Sequence, residues 1–149
     1  MMERVLEVLE RPRRLEKQLT LARLRAAEAL DRCRRTTSCR GRERVDRGAP
    51  AGPGDERYAQ LCDLMEQQRR LAEQLEAAQA ELDAFLDRVR EECGFRDYCV
   101  LRWHYRLERP WTKIRADLQE TFGFPVTLRT AHNWHRAALR EAEKLLETK

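Results

Sequence analysis

Apolar residues in the first part of the chain recur at alternating intervals of three and four residues. Pro12 fills one position of a stripe whose other members are Val5, Val8, Leu15, Leu19, Ala22, Ala26, Ala29 and Cys33. This spacing brings one side chain per turn to a single helical face, so it predicts a helix from about Glu3 to Arg34 with a heptad seam. Because proline lacks an N–H and clashes with the preceding turn, we expect this helix to kink or to begin at Pro12.

A second stripe with the same spacing lies between about Glu56 and Glu92. Its members are Leu64, Gln68, Leu71, Leu75, Ala78, Leu82, Phe85 and Val89. Neither proline nor glycine interrupts the segment, which predicts one helix of roughly 55 Å, ended by Gly94. Between the stripes, Arg35 to Asp55 contains four Gly and two Pro without any period and predicts a long loop.

Two seamed helices joined by a loop predict a long antiparallel hairpin of coiled-coil character over residues 1–94. Within one chain, each stripe can cover the other. The stripes are thin, however, so an intermolecular coiled coil is also open, and we expect homo-oligomers to form through the long helices. The expected fold class is all-α.

The pattern changes from Arg96 onward, where aromatic residues cluster and the predicted helices shorten. Asp97 to Tyr105 predicts a first short helix, and Arg109-Pro110-Trp111 opens a second that ends near Phe122. Gly123 to Val126 predicts a turn. Thr127 is then a suitable N-cap for a third helix, Leu128 to about Glu147. Residues 95–149 are thus predicted to form a helix-turn-helix domain.

Charge makes this domain a candidate for binding a polyanion. The net charge is +4, but it alternates along the chain: +5 for Arg32–Arg47, −5 for Tyr58–Glu92 and +5 for Arg96–Arg140. A basic segment of this kind favours a nucleic-acid partner. We interpret the Arg32–Arg47 cluster as a solvated loop rather than a DNA contact.

The third helix carries residue types that can recognise base edges. Its apolar stripe leaves the opposite face free, and arginine, asparagine and threonine side chains can bind guanine, adenine and thymine in the major groove. The start of the second helix is a common place for phosphate contacts. The candidate DNA-binding residues are Arg129, Thr130, His132, Asn133, Arg136, Thr112, Lys113 and Thr127.

These residues lie in a segment that resembles region 4 of bacterial sigma factors, and more closely the phage-encoded, region-4-like regulators of late transcription. The matching positions are Leu101, Arg102, Tyr105, Trp111, Ile114, Thr127, Arg129, Trp134, His135, Ala138 and Leu139. The chain departs from the family pattern in a turn about two residues longer, at Ala131 where a larger aliphatic residue is typical, and at Arg115 and Ala142. The resemblance implies a sequence-specific transcription regulator of phage or prophage origin that binds double-stranded DNA and contacts RNA polymerase.

Two other classes of protein stay open. A phage DNA-packaging adaptor similar to a small terminase subunit also joins a DNA reader to a helical oligomerisation region, and a helical anti-activator would bind protein instead. We identify no catalytic constellation, cofactor motif or paired-cysteine metal motif, so we expect a non-enzyme. The chain has no apolar signal core and no stretch of about 18 apolar residues, so we expect no membrane association and a location in the cytoplasm of a bacterial host.

Overall fold

The computed structural model describes residues 2–40 and 53–148, and every element in these ranges is helical. Two long helices come first: α1 (Met2–Arg40) and α2 (Pro53–Glu92), which pack against each other. Near its start, α1 contacts the last part of α2, where Arg11 Nη1 lies 3.9 Å from Glu81 Oε2. The two helices therefore run antiparallel there, and the predicted all-α class is confirmed.

Both long helices extend further than the sequence pattern predicts. α1 continues to Arg40 and α2 already begins at Pro53, so the predicted loop was too long at both ends. No glycine or proline occurs between Arg35 and Arg40 to stop α1. Proline is favourable in the first position of a helix because its missing N–H would have no helical acceptor there. Residues 41–52, with much of the predicted arginine cluster, lie outside the described residues.

α1 passes through Pro12 without interruption, so the prediction that the helix begins at this residue is wrong. Pro12 is buried, as are Leu15 and Leu19 on the same stripe. Its ring therefore occupies an apolar position on the seam, where burial offsets part of the cost of the missing hydrogen bond.

The rest of the chain forms three shorter helices and a π-helical turn. These are α3 (Phe95–Leu101), the π-turn (Arg102–Arg106), α4 (Trp111–Phe122) and α5 (Leu128–Glu147). The predicted boundaries of the second and third helices agree with α4 and α5. The predicted first helix is instead divided, because its last four residues follow the wider π-helical path.

By their contacts, the helices group into two compact units. The C-terminal unit consists of Met1–Arg14 with Glu76–Lys149, and the hairpin unit is Leu15–Leu75. Gly94 lies inside the C-terminal unit, with the positive φ of 117° that favours glycine. In the hairpin unit, the buried side chains include Leu15, Leu19, Ala22, Ala26 and Ala29 of α1 and Leu61 of α2.

The C-terminal unit contains two apolar clusters. The larger joins the ends of the long helices to α3, the π-turn and α5, through Val5, Leu9, Leu82, Phe85, Leu86, Val89, Leu101, Tyr105, Ala138, Ala142 and Leu145. The smaller consists of Val100, Ile114, Leu118, Val126 and Ala131, and Trp103, Trp111, Phe122 and Trp134 pack against it. The second cluster fixes α4 and α5 together, and all three tryptophans contribute to this core.

Candidate nucleic-acid interface

α5 has one buried face and one exposed face along most of its length. Ala131, Ala138 and Ala142 are fully buried, and their small side chains let neighbouring helices come close to the α5 backbone. On the opposite side, Arg129, Asn133 and Arg136 are exposed. The structure thus brings three of the predicted base-contacting side chains to the same solvent-facing stripe.

Arg140 continues this stripe and was not among the predicted residues. It is exposed, and it follows Arg136 by four residues, as Asn133 follows Arg129. Residues spaced by four, three and four lie on one face of a helix. This spacing is visible in the sequence, but the predicted DNA-binding residues of this helix all lie in its first half.

The stripe presents unneutralised positive charge. Within the described part of the chain, neither Arg129 nor Arg140 has a hydrogen-bond or ion-pair partner. Three guanidinium groups and one amide on a single helical face form a surface that suits an anionic ligand with hydrogen-bond acceptors. Phosphates and guanine edges both have this chemistry.

The start of α5 is capped as predicted, but the cap uses two of the candidate side chains. Thr127 Oγ1 accepts a hydrogen bond from the Thr130 backbone N–H at 3.1 Å, and the two threonine hydroxyls lie 3.0 Å apart. This capping satisfies a backbone donor at the start of the helix. Thr127 and Thr130 are therefore structural residues first, and their hydroxyls are already paired.

The connection between α4 and α5 comprises residues 123–127, longer than the usual turn of three or four residues between such helices. Gly123 ends α4 with a φ of 76°, a left-handed conformation that glycine adopts without steric cost. Gln119 Oε1 accepts from the Val126 N–H at 3.3 Å, and Arg115 Nη1 donates to the Val126 carbonyl at 3.2 Å. α4 therefore holds the longer connection by both backbone groups of Val126.

Arg115 is one of the positions at which the sequence departs from the pattern that it resembles, and this contact gives its guanidinium a structural role in holding the connection between α4 and α5. Ala131, the second departure, lies in the same cluster as Trp134, whose large ring occupies space beside the small residue. Sequence inspection identified both departures but not the contacts that accommodate them.

The candidate phosphate contacts at the start of α4 are both exposed, but only one is unpaired. Thr112 faces solvent. Lys113 Nζ lies 3.3 Å from Asp117 Oδ1, while the other oxygen of Asp117 accepts from Arg109 at 2.8 Å. Because Lys113 shares this carboxylate with Arg109, its charge is partly neutralised on the protein itself.

His132 belongs to an aromatic group rather than to the open stripe. Its ring centroid lies 4.4 Å from that of Trp111, which also contacts His104 at 4.7 Å and His135 at 5.1 Å. His135 Nε2 and the Tyr105 hydroxyl are 2.9 Å apart. All three histidines therefore surround Trp111, and His135 is a packing residue.

Burial keeps two of these imidazoles neutral. It lowers the pKa of His104 to about 4, assisted by the positive charge of Arg13. It also lowers the pKa of His135 to about 4, with a smaller contribution from His104. At neutral pH His104 and His135 are therefore uncharged, and they support α4 and α5 by packing.

No group of three or more His, Cys, Asp or Glu residues within the described ranges is arranged to hold a metal ion. Within the same ranges, none of the helices combines the length and apolar character that a membrane span requires.

In comparisons with known proteins, no family model, curated protein or solved structure matches this chain. The resemblance to phage regulators with a region-4-like domain therefore rests on the sequence positions named above and stays a prediction.

Proposed function

We propose that this protein is a sequence-specific, DNA-binding transcription regulator of phage or prophage origin. In this proposal α4, the connection at residues 123–127 and α5 act as a helix-turn-helix, and α5 enters the major groove. The observation that carries the proposal is the exposed stripe of Arg129, Asn133 and Arg136 on a helix whose opposite face is buried.

The stripe fits the dimensions of the groove. From Arg129 to Asn133 the helix rises about 6 Å, and from Arg129 to Arg140 about 16 Å. A helix lying in a groove about 12 Å wide brings residues near its N-terminus closest to base edges. We therefore assign Arg129 and Asn133 to base contacts and Arg140 to a phosphate at the groove edge, with Thr112 and Lys113 on a second phosphate.

Selection from a randomised duplex pool, followed by fluorescence anisotropy with the enriched sequence, tests the proposal. We expect the binding constant to fall steeply as salt is raised from 50 to 200 mM, because phosphate contacts release counterions. Arg129→Ala should weaken binding on the order of 1–3 kcal/mol and relax the preference at one base position. Lys113→Ala should weaken all sequences alike and reduce the salt slope.

Arg25→Ala is a matched control, because Arg25 is an exposed arginine of α1 outside the C-terminal unit. It removes the same charge without touching the proposed interface. If Arg25→Ala and Arg129→Ala weakened binding equally and without change in sequence preference, nonspecific electrostatic attraction would explain the binding, and base recognition would not. Absence of any salt-dependent duplex binding would argue for a protein-interaction module instead.

Two partner predictions accompany this function. Large apolar side chains that are exposed on the hairpin unit, such as Leu24 and Met65, support self-association through the long helices. RNA polymerase is the partner that the resemblance implies for a regulator. A mass measurement distinguishes a dimer, as expected here, from the closed ring of many subunits that a DNA-packaging adaptor would form.

A further inference from the structure

Arg13 connects α1 to the chain segment that leads into α4. Its Nε atom donates to Glu108 Oε1 at 2.9 Å, and its Nη2 atom donates to the His104 carbonyl at 2.6 Å. Both acceptors lie more than 90 positions later in the sequence. All three residues belong to the C-terminal unit.

The His104 carbonyl is available because the π-turn ends irregularly. The Leu107 N–H donates to the Arg102 carbonyl at 3.0 Å, as expected in a π-helix, but the Arg109 N–H donates to the Trp103 carbonyl at 2.9 Å. Arg109 is the residue whose N–H a continued π-helix would direct at His104. Arginine side chains often bind such terminal carbonyls, and here the arginine comes from another helix.

Glu108 adopts a conformation that glutamate seldom takes. Its φ of 52° is positive, and among the described residues it is the one non-glycine residue with this property. The left-handed region is sterically unfavourable for a side chain with a Cβ. The ion pair with Arg13 holds the Glu108 side chain in place, so it contributes to holding the unfavourable backbone conformation.

The backbone conformation at Glu108 precedes the start of α4 directly. Two residues later Pro110 caps the helix, and Trp111 starts it. Arg109 lies between Glu108 and Pro110. Its guanidinium pairs with Asp117, and its Cζ atom lies 5.4 Å from the ring centroid of Trp103. A change in the backbone at Glu108 would therefore pass directly to the first turn of α4, which carries Thr112 and Lys113.

We propose that Arg13 is a positioning residue for DNA binding: by holding the π-turn and Glu108, it sets the direction in which α4 starts and presents its first turn to the phosphate backbone. This inference rests on the proposed function. It assigns a role in DNA binding to a residue of the N-terminal helix that makes no contact with DNA itself. It also makes α1 a structural element on which the proposed helix-turn-helix depends.

Measurements of duplex binding by three variants of the full chain test the inference, with the selected duplex as probe. The variants are Arg13→Met, Arg13→Lys and Glu108→Gln. We expect Arg13→Met to weaken binding roughly 3- to 30-fold, the range of effects transmitted through packed contacts. Arg13→Lys keeps the charge but lacks the fork that reaches both acceptors, so its affinity should be intermediate. The double variant of Arg13→Met with Glu108→Gln should bind as Arg13→Met does, because both changes break one arrangement.

Arg14→Met is the matched control, since Arg14 pairs with Glu7 on its own helix. Affinities are measured at a temperature at which all variants are folded, so that stability alone does not change the dissociation constant. The indole N–H resonances in NMR spectra supply a readout without DNA. Arg13→Met should shift those of Trp103 and Trp111 and leave that of Trp134 unchanged.

Equal affinities for Arg13→Met and Arg14→Met, with unchanged indole resonances, would overturn the inference. If the wild-type chain bound no duplex, the proposed function would fail, and the role of Arg13 in DNA binding with it. The indole shifts would then show separately whether Arg13 positions α4. Weaker binding together with shifts at Trp103 and Trp111 supports both.

Discussion

The hairpin unit and the C-terminal unit bury their apolar side chains in different ways. In the hairpin unit, buried residues of α1 such as Leu19 and Ala22 follow the heptad stripe, and α2 residues such as Leu64 are only half-buried. In the C-terminal unit, Ile114 and Leu118 are fully buried among side chains from several helices. The first arrangement follows a repeating pattern along each helix, whereas the second joins side chains of α3, α4, α5 and the connection before α5, which no single period places together.

This difference has a consequence for stability. A seam between two helices is narrow, so a shortened side chain leaves a gap that lies close to solvent. A cluster closed by α3, α4 and α5 cannot collapse as easily around a gap. The cost of a cavity depends on how far its surroundings relax, so equal substitutions should cost more in the C-terminal unit.

Replacing Ile114 by alanine should produce the largest loss of stability. We expect a decrease of about 2–5 kcal/mol in the free energy of unfolding, because a fully buried aliphatic side chain is removed from a closed cluster. All three tryptophans lie in the C-terminal unit. Urea unfolding followed by tryptophan fluorescence therefore reports this unit, while far-ultraviolet circular dichroism reports helices of both units.

Leu19→Ala is the comparison variant in the hairpin unit. It should cost less, and it should shift the circular dichroism transition more than the fluorescence transition. Identical shifts of both signals for both variants would mean that the two units unfold together. The different packing of their apolar side chains would then not produce different stabilities.

The same difference explains how much of the fold follows from the sequence. Nearly every predicted seam position of α1 is buried, including Pro12, because heptad spacing directly encodes a helical face. The end of α1 and the start of α2 were misjudged, since glycine and proline content does not show which residue stops or starts a helix. At Pro53, the proline taken as a loop residue is the first residue of a helix.

In the candidate site, capping and helix boundaries followed from local residues, but side-chain partners did not. Thr127 was recognised as an N-cap from its type and place. The role of Arg115 depends on the carbonyl of Val126, and that of Arg13 depends on residues more than 90 positions away. No periodicity encodes such pairs. They become visible only when the backbone path at Val126 and Glu108 is known.

Acidification should destabilise the C-terminal unit next most strongly. His104 and His135 have pKa values near 4 in the folded chain, against 6.5 ordinarily. The unfolded chain therefore binds more protons as the pH falls from about 6.5 to about 4, and the stability present above pH 6.5 is lost in this interval. We expect a decrease of roughly 1–3 kcal/mol between pH 7 and pH 5, since one pKa unit corresponds to about 1.4 kcal/mol.

Fluorescence-detected urea unfolding at several pH values measures this loss. His104→Gln and His135→Gln should each flatten the pH dependence, whatever they do to the stability at pH 7. Burial raises the pKa of Asp97, which acts in the opposite direction at low pH, so the comparison of slopes is made between pH 5 and 7. Unchanged slopes in both variants would show that other groups cause the loss.

The smallest effect is expected for Arg69→Ala in the hairpin unit. Arg69 lies 2.6 Å from both Glu66 and Glu73, and it holds the pKa of Glu66 below its ordinary value. All three side chains are largely exposed, however, and solvent and salt screen such pairs. We expect an unfolding midpoint close to that of the wild type, with any difference removed at high salt.

Arg109→Ala provides the contrast: it deprives the 14% exposed carboxylate of Asp117 of one partner and uncovers Trp103. If Arg69→Ala were the more damaging of the two, surface charge rather than packing would distinguish the two units.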